Sequence, residues 1–134
     1  MRLHREDGAS AVEFALLTPL LCIFLFGIIG WGLAFLQVQS IRTAVREGAR
    51  AAATGATVAT VQQKTIDASS GSIPASPTTA VVVSGQCNAQ NIGQDVTVSY
   101  ATTQLPGGGV IVRIPLLPDY VMRPNISAAF RCEV

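Results

Sequence analysis

A single carboxylate at the mouth of an apolar run carries the most pointed chemistry in this chain. Glu13 stands five residues after Gly8 and directly before Phe14, where an uncharged stretch begins that runs to Leu36. An ionised group at the edge of a lipid phase is costly unless it is paired, so acids at such positions serve a function more often than a fold. Arg42, Arg46 and Arg50 step along one helical face at i, i+4 and i+8, with Glu47 in reach of Arg50. Three cysteines complete the reactive set. Cys22 lies inside the apolar run, where it reads as a small hydrophobe. Cys87 and Cys132 lie in the distal part, where they read as a disulfide if that part faces an oxidising compartment, or otherwise as two separate buried thiols. A bridge between them would close a loop of 45 residues, for which the chain-entropy estimate is about 4 kcal/mol.

Catalytic constellations are not expected. The one histidine, His4, sits in the polar head, and Asp67, Asp95, Asp119 and Glu133 are scattered without paired-carboxylate or metal-ligand spacing. Gly107-Gly108-Gly109 is followed by no Lys-Ser/Thr and no helix start, so it reads as a turn and not a phosphate loop. No enzyme activity, cofactor, metal or small-molecule substrate is expected. With a net charge of +1 and only 13% charged residues, neither is a nucleic-acid partner.

The elements that must position these residues follow from hydrophobic patterning. Phe14 to Leu36 is 23 residues long. At about 1.5 Å per residue it covers about 34 Å, enough for a hydrocarbon core of about 30 Å. The chain therefore reads as a single-span membrane protein. Pro19 falls in the second turn of the span, where membrane helices tolerate a loosened backbone. Gly27, Gly30 and Ala34 give the second half a face of small residues suited to close helix–helix approach. Beyond Leu36, Ile41, Ala44, Val45, Gly48, Ala49 and Ala52 recur at helical period, so the helix continues, with a stop or bend at Thr54-Gly55. Residues 58–68 read as a further short helix, and 69–79 as a Ser/Pro/Thr linker or long loop. Four short strands are expected at 80–84, 95–100, 109–114 and 126–132. The fold class is α+β: a long N-terminal transmembrane helix extended into a small antiparallel sheet domain whose apolar face packs on the extension. The divisions are 1–8 head, 9–36 span, 37–68 helical extension, 69–79 linker and 80–134 β-rich domain.

The stretch GASAVEFALLTPLLCIFLFGII, with the later block QSIRTAVREGARAAA, resembles the TadE-like family of tight-adherence (Flp-type) pilus systems. The residues that carry the likeness are Gly8, Glu13, Phe14, Pro19, Gly27 and Arg46-Glu47-Gly48-Ala49-Arg50, over residues 8 to 53. The resemblance implies a pseudopilin or minor pilin whose leader, residues 1–8, is removed by a prepilin peptidase between Gly8 and Ala9. The new amine at Ala9 would lie one helical turn from Glu13, and in an assembled fibre Glu13 would set register by pairing with a neighbour's amine. It also implies a late cysteine pair, which Cys87 and Cys132 fit. Implied partners are the membrane, the peptidase, other pilin or pseudopilin subunits and the pilus assembly platform. The implied location is the cytoplasmic (inner) membrane, with the N-terminus inside and the distal domain outside. Counting Lys and Arg alone does not choose this orientation, because Arg2 and Arg5 on one side are opposed by Arg42, Arg46 and Arg50 on the other. These three arginines are expected to contact lipid headgroups or neighbouring subunits. The alternatives are a single-pass anchor for a small binding domain and a pseudopilin of a type II secretion machine.

Overall fold

Helix α1, Glu6–Ala53, is one continuous rod of 48 residues in the computed structural model, which describes residues 6–133. At the α-helical rise it is about 72 Å long. The expected leader residues Met1 to Arg5, with Arg2, His4 and Arg5, lie outside the described residues. Within α1, an 18-residue window of mean hydropathy 2.4 contains no buried residue. By length and composition the helix can cross a membrane. Pro19 is accommodated inside it. Its ring removes an N–H from the ladder, and next to it the Thr18 hydroxyl donates to the Phe14 carbonyl at 2.7 Å.

The rod changes character at Ala34. From there Ala34, Val38, Ile41, Ala44, Val45, Ala49 and Ala51 to Ala53 are buried, while Arg42, Arg46 and Arg50 remain exposed. The end is set by Gly55 at φ +79, a conformation that a side chain disfavours. Its N–H donates to the Ala52 carbonyl at 3.2 Å, and the Ala56 N–H to the Ala51 carbonyl at 3.2 Å, which satisfies two of the orphan carbonyls of the last turn. Two residues later Thr57 caps α2, Val58–Ala68, by accepting from the Thr60 N–H.

Helix α2 folds back on α1. The approach is close because position 48 is glycine: a Cβ there would overlap the Thr65 hydroxyl. The Ser40 hydroxyl donates to the Ser69 carbonyl at 2.6 Å and ties the far end of the pair. Residues 69–77 form a loop that buries Ile73 in the same core and contains a cis Ser76–Pro77 bond. A short 3-10 turn, Thr78–Ala80, leads into the strands.

The strands are β1 Val81–Ser84, β2 Asp95–Ala101, β3 Val110–Val112, β4 Tyr120–Met122 and β5 Asn125–Arg131. They form a three-stranded antiparallel sheet, order β1-β2-β5, and a separate hairpin, β3-β4. The α+β class is as expected. The single four-stranded sheet is not: β4 goes unforeseen, and β3 pairs with β4 away from the main sheet. Three residues between prolines are too few to show the alternation that marks a strand in sequence.

On β2, Val96, Val98 and Tyr100 alternate inward and pack against α1. Val98 sits between Val83 of β1 and Ala128 of β5 in register. The core therefore lies between α1, α2 and the main sheet. A Cys87–Cys132 disulfide joins the loop after β1 to the end of β5. Nearby the Glu133 N–H donates to the Ala53 carbonyl at 3.1 Å. The end of β5 and, through the disulfide, the loop after β1 are thereby held to the end of α1.

Candidate functional site

Gly8, Ala9 and Glu13 lie on the exposed first turns of α1. Ala9 and Glu13 are four residues apart, on one face and about 6 Å along the axis. A Cβ placed on Gly8 would meet nothing within 4 Å, so a larger residue there leaves the fold untouched. From Val12 to Leu36 most of the rod's surface carries exposed large apolar side chains, among them Phe14, Leu17, Leu21, Phe24, Ile28 and Leu33. A helix apolar all round is made to be surrounded, by lipid or by other helices.

The small residues expected to admit a neighbouring helix are partly occupied within this chain. The backbone of Arg113, at the end of β3, lies over Gly30: a Cβ there would come 2.6 Å from the Arg113 carbonyl oxygen. Ile114 lies beside Gly27 at 3.9 Å from the same kind of probe position. Ala34 is buried in the domain core, and Gly32 faces open space. Pro19 is exposed.

The three arginines separate. Arg42 lines a cleft of about 440 Å³ together with Trp31, Phe35, Val38 and the residues from Tyr120 to Pro124, Arg123 among them. Arg46 and Arg50 lie further along the helix and do not line it. Among the described residues the ion pair is Arg113–Asp119, at 3.6 Å; the Glu47–Arg50 pair allowed by spacing is not formed. Cys22 is a free, half-buried thiol in the span.

Sequence reasoning misses the β3–β4 connection, residues 113–119, as part of this region. The loop brings Ile114 and Leu117 onto the span, and Tyr120 onto Trp31 with ring centroids 5.9 Å apart. Its signal was present as an apolar Ile-Pro-Leu-Leu-Pro run set between one arginine and one aspartate. Elsewhere in the domain, Tyr100 is fully buried with its hydroxyl unpartnered among the described residues, and burial raises its phenol above the ordinary value of 10.0.

Set beside known proteins, residues 8–50 match the family described as TadE-like protein. The matched stretch takes in Gly8, Glu13, the apolar rod and the arginine face through Arg50, and stops short of α2 and the strands. No curated protein and no solved structure matches the chain.

Proposed function

We propose that this chain, with a TadE-like segment over residues 8–50, is a pseudopilin or minor pilin that assembles or primes a tight-adherence pilus after cleavage between Gly8 and Ala9. The observation that carries the reading is the Gly8–Glu13 spacing at the opening of a long, largely exposed apolar helix. Hydrolysis of the Gly8–Ala9 amide by a prepilin peptidase leaves a protonated amine on Ala9. The Glu13 carboxylate stands one turn away, near the helix N-terminus, where orphan N–H groups and the dipole favour negative charge. When stalks pack side by side, Glu13 leaves water. A charge in such surroundings is retained only with a partner, and the amine of the next subunit supplies one. The pair works at one axial offset, so it sets register. Before assembly the rod rests in the cytoplasmic membrane, N-terminus inside and disulfide-bearing domain outside, a compartment in which such a bond persists. The chain performs no catalysis in this account; it is a substrate and a building block.

Mass spectrometry of the protein extracted from membranes of cells with an active pilus system tests this. The expected species begins at Ala9. Gly8→Leu should leave the uncut precursor, correctly folded, because the position is open. Glu13→Ala should be inserted and cut yet fail to support piliation. Recovery of chains that still begin at Met1 would favour a plain membrane anchor. Piliation at the normal level in Glu13→Ala would remove the register role.

A further inference from the structure

We infer that the β3–β4 loop, residues 113–119, is a second membrane contact, a wedge seated beside the spanning helix in the leaflet on the side of the sheet domain. The inference rests on α1 being a span, and on nothing about pili.

Depth along α1 sets where the loop lies. Starting at Phe14, about 20 helical residues cross the hydrocarbon core, which ends near Leu33. Gly30 is then about 5 Å inside that boundary and Gly27 about 9 Å. The Arg113 backbone packs on Gly30 and Ile114 on Gly27, so the loop shares their depth. Interfacial segments sit about 5–10 Å into the boundary region.

The chemistry of the loop suits that depth. Between Arg113 and Asp119 there is no charge and no hydroxyl, only Ile114, Pro115, Leu116, Leu117 and Pro118. Leu116 is 89% exposed and Leu117 49% exposed, in a domain that otherwise buries its leucine, Leu105. Two prolines remove two backbone donors that water would otherwise have to satisfy. The Leu117 N–H donates to the Ile114 carbonyl at 3.1 Å, an internal bond across the tip. Arg113 and Asp119 neutralise one another at the base of the loop. Just above, Tyr120 leans on Trp31, the aromatic pairing of apolar body and polar tip that marks a membrane–water boundary. Arg42 and Arg123 line the cleft on the polar side of that pair, at the level of the headgroups. The apolar surface of the loop is continuous with the surface of the span: Ile114 and Leu117 share a cleft with Phe24, Gly27 and Ile28. Lipid that surrounds one therefore surrounds the other.

The test is spin-label accessibility in the full chain. Leu116→Cys in a Cys22→Ser background carries a nitroxide, in vesicles of phosphatidylethanolamine and phosphatidylglycerol at high lipid-to-protein ratio. Leu25→Cys is the reference within the span and Val82→Cys the reference on exposed β1. Leu116 makes no core contact, so its replacement leaves the domain folded. The expected result at position 116 is oxygen collision close to that at 25, with nickel-complex collision several-fold below that at 82. Nickel access equal to that at 82 would overturn the proposal. Protection from both reagents that disappears on dilution into lipid would also overturn it, in favour of a second copy of the chain covering the loop. Nickel access at position 25 would dismiss the span itself, and is distinguishable by arising at the reference site.

Discussion

The two halves of α1 are one helix with two kinds of surface. From Phe14 to Leu33 the rod is almost wholly apolar and largely exposed, with only the Gly27–Gly30 face covered by Arg113 and Ile114; from Ala34 it buries one stripe and shows arginines on the other. The residue choice follows the surroundings. Leu, Phe and Ile fill the first half, where most side chains are exposed and need no fixed partner within the chain. Ala, Gly and Val dominate the buried stripe of the second half, where α2 and β2 approach closely enough that larger groups would not fit. The first half thus holds Gly8 and Glu13 on a stretch with no buried residue before Ala34, and the second buries the stripe on which the domain packs. The family match begins at Gly8, takes in the rest of the first half and ends within the second, before the strands.

That contrast can be broken most sharply by paired truncations. Ile41→Ala should cost about 2–5 kcal/mol of domain stability, as deletion of a fully buried side chain does, measured by urea unfolding in a mild detergent with the disulfide intact. Leu25→Ala, in the same assay, should cost less than about 0.5 kcal/mol. Equal losses would show that the halves are energetically one unit. A smaller effect is expected at the α1–α2 contact. Gly48→Ala should cost about 1–3 kcal/mol by forcing Thr65 aside, and Thr65→Ala should recover part of it in a double-mutant cycle. Additive losses would place the strain elsewhere. The smallest effect belongs to Tyr100. Tyr100→Phe should be neutral or stabilise by up to about 1 kcal/mol, because the hydroxyl it removes is buried without a partner. The raised phenol adds a pH signature. Its stability contribution is complete below the unfolded value of about 10 and is lost as pH climbs from there through the raised folded value. Tyr100→Phe should flatten that alkaline slope in unfolding titrations; an unchanged slope would assign it to another group.

Different parts of the molecule were legible for different reasons. The helix long and apolar enough to cross a membrane, its exposed apolar surface and Glu13 at its mouth are readable directly, since length and absence of charge are sufficient signals. The buried stripe from Ile41 to Ala52 shows itself at helical period, and Thr54-Gly55 marks the end of the rod because the turn requires a positive φ. β2 is visible in its alternation. Strand β4 and the loop from 113 to 119 are not, because three residues and a proline-bounded apolar run carry no period. Gly27 and Gly30 could be read as small, but not as covered by Arg113 and Ile114, residues more than 80 positions away in the chain.

Local pattern alone determined that the described residues hold one helix long and apolar enough to cross a membrane, with an acid at its mouth and a small α+β domain beyond it, because hydrophobic length, helical period and strand alternation are properties of neighbouring residues. Tertiary structure decided that the cysteines meet, that α2 lies on Gly48, and that the β3–β4 hairpin returns to the span. Those contacts depend on how the chain closes over long distances, where a backbone can pass only if the facing residue is small, and no nearby residue records which segment will arrive.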